Sequence, residues 1–294
     1  MFYIYVNNFL PFLNIGIMAH NEEKNISLLL DELLRQAENT NFPFNITVVA
    51  SGCTDRTVDI VKSYENKDNR IKLLTEKQRR GKAQAINLFL NQAKGDFLII
   101  SSADIIPTNN TLAKFLSVFS DPVIGMVGGR PVPKSSNGIT GLINRFLWEL
   151  HHEVSLRQTK LGEFIAIRNI VDKIPEKTAV DEATLEAFIT QKGFKLKYLP
   201  DVIIYNYRPK NLISFIKKRI RIFVGHLYVK ETMSYRVSTF NLIPLILTVI
   251  KKVKKEKKNA FYILILVFLE AFARTIAFFE YYVRRKTYHI WSRS

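Results

Sequence analysis

Apolar and polar positions alternate between two patterns from residue 14 to residue 132. Short apolar runs bounded by turn residues lie at residues 14–19, 45–50, 71–74 and 97–101, and each of them suits a buried strand. Between these runs, apolar residues recur at helical spacing, which predicts helices with one buried face. Strands and helices in alternation predict an α/β fold, in which helices wrap a mostly parallel sheet.

The pattern continues beyond residue 132 with longer elements. It predicts an amphipathic helix over residues 138–158, a strand over 161–168, a helix that opens at Asp181, an extended segment over 195–205 and a helix over 211–230. The last of these carries apolar residues near one face and lysines and arginines on the rest. A basic amphipathic helix of this kind suits an anionic membrane surface.

Three polar stretches, residues 20–23, 51–55 and 102–104, each come directly after a predicted strand. The carboxyl ends of parallel strands share one edge of a sheet, and open α/β sheets bind ligands there. We therefore expect these stretches to converge on one crevice. Simpler roles compete: Glu22 and Glu23 also suit the first turn of a helix, where the dipole favours acids, and Asp104 also suits a helix cap or a turn.

Two clusters of charge lie at predicted helix starts. Arg79, Arg80, Gly81 and Lys82 open one helix, where cations oppose the helix dipole unless an anion binds there, and a solvated basic loop is the alternative. The acidic pair at residues 181–182 opens another helix, where it complements the dipole or supplies a carboxylate for chemistry.

The charge balance narrows the class of partner. The 294 residues carry a formal net charge of +17, which favours a polyanionic partner such as a phosphorylated substrate or an anionic membrane. We predict no nucleic-acid partner, because the chain has neither a basic platform interleaved with aromatic residues nor a zinc-binding pattern. The single cysteine, Cys53, excludes an internal disulfide and fits a reducing compartment.

The ends of the chain differ in character. The apolar N-terminal stretch has no basic region and no cleavage site, so we interpret it as an arm before the first strand.

Near the C-terminal end, the apolar run at residues 238–250 is too short to cross a membrane, and a polybasic block follows at residues 251–258. Residues 260–283 are long enough to cross, although basic residues flank both sides, so a helix lying in the membrane plane is the alternative. Within this segment we expect Glu270 and Arg274 to pair and to face protein.

With these residues in view, the chain resembles the family 2 glycosyltransferases, which have the GT-A fold, from about residue 14 to residue 228. The resemblance rests on several motifs in the family's order. They are His20-Asn21-Glu22-Glu23, Ser51-Gly52-Cys53-Thr54-Asp55, Gly81-Lys82 with Ala85 and Asn87, Ser102-Ala103-Asp104, Asp181-Glu182-Ala183-Thr184-Leu185 and Lys218-Arg219-Ile220-Arg221-Ile222. The chain departs from the family pattern at Ala50, Ser102, Glu182, Lys218 and Ile222.

The resemblance implies inverting transfer of a sugar from a nucleotide-diphospho sugar. It implies Glu182 or Asp181 as the catalytic base and Asp104 as the ligand of a divalent metal, Mg²⁺ or Mn²⁺. The implied donor-binding residues are His20, Asn21, Glu22, Ser51, Asp55, Lys82, Arg219 and Arg221.

Taken together, these patterns predict a GT-A catalytic domain over residues 1–232 and a membrane-associated helical segment over residues 233–294. We expect a lipid-linked or glycan acceptor, and a protein at the cell membrane with its catalytic domain in the cytoplasm. The competing hypothesis is a catalytically inactive nucleotide-sugar-binding or scaffold protein that keeps the GT-A fold.

Overall fold

An eight-stranded mixed sheet forms the centre of the molecule. The computed structural model describes residues 10–134, 138–206 and 211–290, so most of the predicted N-terminal arm lies outside the described residues. In chain order the strands are β1 (Leu13–Ala19), β2 (Phe44–Ser51), β3 (Ile71–Glu76), β4 (Phe97–Ser102), β5 (Ile105–Pro107), β6 (Ile124–Pro133), β7 (Phe164–Arg168) and β8 (Lys195–Asn206). In space their order is β3-β2-β1-β4-β7-β6-β8-β5.

The first four strands form the parallel half of the sheet, as the alternating pattern predicts. Strand β1 lies between β2 and β4, with Ile15 opposite Ile46 on one side and Ile99 on the other. All seven residues of β1 are buried, which explains its continuous apolar run.

The second half of the sheet contains the antiparallel pairs. Strand β7 runs antiparallel to both β4 and β6, and β8 runs parallel to β6. The chain after Asp104 does not remain a loop but forms the short strand β5, which pairs with β8. One consequence matters for the site: β7 begins at the sheet edge where β4 ends, with Phe164 opposite Ser101.

Helices cover both faces of the sheet. Alternate side chains of β4 point to opposite faces, so Ile99 packs in one core cluster and Leu98 in the other. The helices of this part are α1 (Ile26–Glu38), α2 (Thr57–Glu65), α3 (Lys82–Leu90), α4 (Thr111–Val118), α5 (Ile139–Arg157) and α6 (Asp181–Gln191).

Three further helices pack together with α5 as a helical layer: α7 (Leu212–Met233), α8 (Leu242–Lys255) and α9 (Ala260–Tyr282). Helix α7 starts with a capping box, in which Asn211 and Ser214 satisfy each other's backbone N–H groups. Phe146 of α5, Phe215 of α7 and Leu266 of α9 share one buried cluster. The helical layer is therefore joined to the sheet region through α5 and α7.

The C-terminal helices extend the predicted segments. Helix α8 continues from the apolar run into the polybasic block, and its lysines stand in the last turn, where the helix dipole favours cations. Within the described ranges, one helix is long and apolar enough to cross a membrane, over Lys257–Tyr282, with a mean hydropathy of 2.0. Glu270 and Arg274 lie 3.8 Å apart and are largely buried against protein, as predicted.

Candidate active site

The polar stretches after the parallel strands meet in one crevice of about 180 Å³ at the carboxyl edge of the sheet. His20 and Glu22 come from the loop after β1, Ser51 ends β2, and Ser102 and Asp104 follow β4. The predicted convergence is therefore confirmed in the geometry. Helices α3, α6 and α7 supply the remaining charged groups of this polar crevice, which are Lys82, Asp181, Glu182, Lys218 and Arg221.

The loop after β1 is fixed by hydrogen bonds to its neighbour after β2. His20 donates from Nδ1 to the carbonyl oxygen of Ser51 at 2.7 Å, and the Glu22 backbone N–H donates to the Thr57 hydroxyl at 2.7 Å. Helix α1 has no acidic residue in its first turn, because it begins after Asn25. Dipole complementation as the explanation of Glu22 and Glu23 is therefore wrong.

Asn21 and Asp55 do not line the crevice but tie these two loops together. The Asn21 side-chain oxygen accepts from the Thr54 N–H at 2.8 Å. Asp55 accepts from the Glu23 N–H at 3.1 Å and from the Thr57 hydroxyl at 2.5 Å. Burial alone raises the pKa of Asp55, but these hydrogen bonds outweigh it and lower the pKa. Both side chains position the crevice wall.

Lys82 of α3 meets carboxylates rather than open solvent. Its Nζ atom lies 2.8 Å from Oδ2 of Asp181 and 3.4 Å from Oε1 of Glu182. Although burial lowers the pKa of an ammonium group, the two carboxylates reverse this, so the pKa of Lys82 is raised and the group stays charged. Gly81 precedes it with φ of 102°, and a Cβ there would lie 2.7 Å from the carbonyl oxygen of His289. The C-terminal segment thus contacts the start of α3.

The two acids at the start of α6 differ in environment. The Asp181 side chain is 8% exposed and that of Glu182 is 23% exposed. Burial and repulsion by Glu182 raise the pKa of Asp181. Burial also acts to raise the pKa of Glu182, but Lys82, a backbone N–H and Arg221 lower it overall. Glu182 is therefore the ionised, accessible carboxylate of the pair.

Glu163 is a crevice residue that the sequence analysis missed. It directly precedes β7, its N–H donates to Oε1 of Glu182 at 3.4 Å, and its carboxylate lies 3.8 Å from Nζ of Lys218. Burial raises its pKa, and its φ of 68° is unusual for a residue with a side chain. Only the antiparallel course of β7 brings this residue to the same edge as Asp104, and no sequence motif signals it.

The charged residues of α7 divide between two sides of the helix. Arg221 lines the polar crevice and donates to the Ala179 carbonyl oxygen at 3.0 Å. Arg219, two positions earlier, points elsewhere because successive helix residues are rotated by about 100°. It donates through Nη2 to Glu270 of α9 at 3.0 Å. The structure therefore does not bring Arg219 to the crevice, whose lining includes the predicted donor-binding residues His20, Glu22, Ser51, Lys82 and Arg221.

A second, larger cavity of about 450 Å³ lies between α5, α6, α7, α8 and α9. Most of its walls are apolar, and we call it the apolar cavity. Glu163, Glu182 and Lys218 line both the apolar cavity and the polar crevice. The two spaces therefore meet at the carboxylates.

A divalent metal would have to be held mainly by Asp104. In the parts of the chain that the structure describes, no group of three or more His, Cys, Asp or Glu side chains could hold a metal ion. The donor set at this point is the Asp104 carboxylate with the neighbouring Ser102 hydroxyl. This set fits Mg²⁺, which usually takes one or two carboxylates and completes its shell with water and substrate phosphates.

Two known proteins are similar to this chain in sequence, one over most of its length and the other over less than a third of it. "Probable glycosyltransferase YdaM" of Bacillus subtilis is 24% identical over 245 residues, which are 75% of this chain and 56% of the relative. "Dolichyl-phosphate beta-glucosyltransferase ALG5C" of Trichomonas vaginalis is 33% identical over 93 residues, which are 30% of this chain and 28% of the relative. The chain thus spans little more than half of the first relative and less than a third of the second.

The fold has solved counterparts. The mannosyltransferase PcManGT from Pyrobaculum calidifontis, solved in complex with GDP-Man and Mn²⁺, matches with a TM-score of 0.61 and 21% identity, over 93% of this chain and 76% of that one. This similarity shows the GT-A fold. The model of the family described as "Glycosyl transferase family 2" matches residues 14–185, more than half of the chain. The protein therefore belongs to glycosyltransferase family 2.

Proposed function

We propose that the enzyme transfers a sugar, with inversion at the anomeric carbon, from a nucleoside-diphospho sugar in the polar crevice to a lipid-linked or glycan acceptor at a membrane. One observation carries this proposal: Glu182, ionised and accessible, stands where the crevice meets the apolar cavity. A carboxylate at that junction can take the proton of an acceptor hydroxyl while the donor lies on its other side.

The crevice residues suit the donor's diphosphate. The leaving group gains negative charge on its bridging oxygen as the sugar departs, and fixed positive charge stabilises that change. Arg221 and Lys82 line the crevice, and their positive charges are held in place by the Ala179 carbonyl and by the α6 carboxylates. A divalent cation on Asp104 and Ser102 would supply Lewis-acid stabilisation of the same diphosphate.

The other predicted donor-binding residues fall into two groups. His20, Glu22 and Ser51 line the crevice, whereas Asn21 and Asp55 form the hydrogen bonds that hold its loops in place.

A membrane location is supported by the outer faces of the C-terminal helices. Large apolar side chains are exposed there, including Ile243 at 74%, Phe261 at 68% and Phe268 at 69%. Exposed apolar patches of this kind mark interaction surfaces, and lysines next to them suit an anionic leaflet. We therefore propose that residues 233–294 attach the catalytic part, residues 1–232, to the cytoplasmic side of the cell membrane.

A donor-turnover screen tests the proposed function. The full chain is incubated with a panel of UDP- and GDP-sugars and Mn²⁺, and the released nucleoside diphosphate is measured. We expect one donor to be turned over, and Asp104→Ala to reduce that rate by at least about a hundredfold, because metal stabilisation of the leaving group is worth several kcal/mol.

Asp172→Ala is the matched control, because Asp172 is an exposed acid outside the crevice. An equal rate for Asp104→Ala and Asp172→Ala would contradict the role of Asp104. A metal titration with and without the nucleotide adds a second readout. We expect Mn²⁺ to bind more tightly in the presence of nucleotide, since the phosphates complete its ligand shell, and equal affinity would contradict this assignment.

A further inference from the structure

Glu163 is the central residue of a tight backbone turn that leads into β7. The Phe164 N–H donates to the Gly162 carbonyl oxygen at 2.8 Å, and φ of Glu163 is 68°. A hydrogen bond that encloses one residue with positive φ is the rare, strained form of the γ-turn. Glycine adopts this conformation without the clash that a Cβ causes. The chain therefore keeps a side chain where the backbone favours glycine.

The turn is fixed on both sides, so Glu163 cannot relax into a better conformation. On one side, the Leu161 N–H donates to Oε1 of Glu186 at 2.6 Å, and Oε2 of Glu186 accepts from the Tyr235 hydroxyl at 3.1 Å. On the other side, Phe164 pairs with β4. Strained backbone persists where the surrounding structure over-determines it, and it clusters at functional sites. The strain therefore points to a function of the Glu163 side chain.

The Glu163 carboxylate is free to accept hydrogen bonds. It lies 3.8 Å from Nζ of Lys218, which is longer than a hydrogen bond. In the part of the chain that the structure describes, no group donates a hydrogen bond to this carboxylate. The side chain is only 19% exposed, and a carboxylate withdrawn from water is costly unless hydrogen-bond donors replace the water. Glu163 therefore indicates an occupant that donates hydrogen bonds.

Glu163 stands where the transferred sugar has to lie. Like the proposed base Glu182, it lines both the polar crevice and the apolar cavity. Its N–H donates to Oε1 of Glu182 at 3.4 Å, so the two acids are neighbours. In the proposed function, Lys82 and Arg221 hold the diphosphate, and Glu182 meets the acceptor. The group between the diphosphate and the acceptor is the sugar, whose hydroxyls are hydrogen-bond donors.

We propose that Glu163 is a specificity-determining residue that accepts hydrogen bonds from hydroxyl groups of the donor's sugar. The inference rests on the proposed function and names the part of the donor that this residue recognises. The fixed turn aims the carboxylate, and Lys218 holds it without using its capacity to accept. A site built to hydrogen-bond a hydroxyl rejects a sugar that does not present it there, because a buried acceptor is then left unpaired.

Paired ligands isolate the contribution of the sugar to binding. Calorimetry with the full chain and Mn²⁺ compares UDP with UDP-glucose and UDP-N-acetylglucosamine, and GDP with GDP-mannose. We expect Glu163→Gln to lower the affinity of the preferred nucleotide sugar, relative to its nucleoside diphosphate, by about tenfold, the loss of one charge-assisted hydrogen bond. An unchanged ratio would overturn the proposal. An equal loss for the sugar nucleotide and the diphosphate would place Glu163 at the diphosphate and overturn it too.

Two further variants serve as controls for Glu163→Gln. Glu176→Gln changes an acid that is 47% exposed and lies outside both spaces, so it should leave the affinity ratio unchanged. The double variant Glu163→Gln/Lys218→Gln removes both charges of the pair. It should bind the sugar as poorly as Glu163→Gln does. Recovery of the ratio in the double variant would show that Glu163 only balances Lys218, and would overturn the proposal.

Glu163→Gly separates recognition from folding. Glycine relieves the strained φ, so this variant should unfold at the same urea concentration as the wild type or at a higher one. Discrimination between epimers, measured as the kcat/KM ratio of UDP-glucose to UDP-galactose, of the corresponding N-acetylhexosamine pair and of GDP-mannose to GDP-glucose, should fall by at least about tenfold for the preferred donor. Lower stability with unchanged discrimination would assign Glu163 a structural role and overturn the proposal.

The wild type separates this inference from the proposed function. Turnover of a donor by the wild type, with the same discrimination in both Glu163 variants, would leave the proposed function standing and overturn the specificity role. Neither binding nor turnover of any of these nucleotide sugars by the wild type would overturn both.

Discussion

The polar crevice and the apolar cavity meet at Glu163 and Glu182, yet they are built by different means. The crevice is formed by loops at the ends of parallel strands, so its residues come from short, recognisable stretches after apolar runs. The cavity is formed by the facing sides of five helices, α5 to α9, and by residues 160–163, so its residues are scattered along the chain from residue 144 onwards. A site at strand ends is therefore visible in the sequence, whereas a site between helices depends on how the helices pack.

The two regions also satisfy their charges differently. In the crevice, Lys82 is shared between Asp181 and Glu182, so the charges are held ready beside the space for a donor. In the helical layer, Arg219 and Arg274 both form ion pairs with Glu270, and the Arg219 pair links α7 to α9. The first arrangement suits the proposed chemistry, and the second stabilises the packing of α7 against α9. Substitutions at these charged residues test whether the two regions differ in this way.

Removing the Lys82 ammonium should have the largest effect. In Lys82→Met we expect the transfer rate to fall by about a hundred- to a thousandfold, because a preorganised charge beside the diphosphate is lost. The free energy of unfolding should also fall by about 3 kcal/mol, because the buried Asp181 and the partly buried Glu182 lose the counter-charge that they share. Steady-state kinetics and urea unfolding measure the two effects.

The double variant Lys82→Met/Asp181→Asn is the control that separates the effects of Lys82. It should recover much of the stability, since the repulsion is removed, but not the transfer rate. Recovery of the rate as well would show that Lys82 acts only through folding.

Removing positive charge from the end of α8 should have the next largest effect, on membrane binding. We expect replacement of Lys254, Lys255, Lys257 and Lys258 by glutamine to weaken binding to anionic vesicles by about a hundredfold or more, because each lysine near such a surface contributes about 1 kcal/mol. Vesicle flotation at fixed salt measures this. Lys252 is left in place because it pairs with Glu149 and Glu256.

The matched control for the α8 lysines replaces four exposed lysines of the sheet region. These are Lys62, Lys67, Lys72 and Lys77. The change in net charge is the same in both variants. If both variants lose the same amount of vesicle binding, the net charge of the protein, and not the lysines of the helical layer, determines membrane binding.

Arg219→Met should lower stability without changing donor binding. We expect the free energy of unfolding to fall by about 2 kcal/mol, because Glu270 would be left largely buried with only the more distant Arg274 as partner. The KM for the donor should stay the same, because Arg219 does not line the crevice.

Arg145→Met is the comparison for Arg219→Met. Its pair with Glu149 is more exposed, so its loss should cost less than about 0.5 kcal/mol. A rise in donor KM in Arg219→Met alone would restore the donor-binding role that the sequence motif implies.

The smallest effect should be a pH dependence of stability that comes from Lys160. Burial lowers the pKa of Lys160 to about 8, so its positive charge is present below that pH and is lost above it. The unfolded chain keeps this proton at pH 9 but the folded protein does not, so the free energy of unfolding should rise by about 1 kcal/mol between pH 7 and pH 9, which urea unfolding at both pH values measures. The titratable and charged groups that face Lys160 are His151, Glu186, Arg219, His226, Glu270 and Arg274.

Lys160→Met has no titratable group at this position and should show no such rise. The same rise in the wild type and in Lys160→Met would assign the pH dependence to another group.

The parallel half of the sheet and the convergence of its loops follow from the apolar pattern of the chain. Buried parallel strands must be apolar over their whole length, and the residues that follow them must meet at one edge, so Ser51, Lys82 and Asp104 could be brought together without a structure. The family resemblance rests on the same stretches, and the match of residues 14–185 confirms it.

The rest of the site depends on how the strands and helices pack. The direction of β7 is set by sheet pairing, and it alone brings Glu163 to the edge of the sheet where the polar crevice lies. The rotation of α7 separates Arg221, in the crevice, from Arg219, against α9. The apolar cavity exists because α5, α6, α7, α8 and α9 pack with a space between them. Apolar side chains that line a cavity and those that fill a core follow the same sequence pattern, since both avoid water, and their difference lies only in which neighbours the fold gives them.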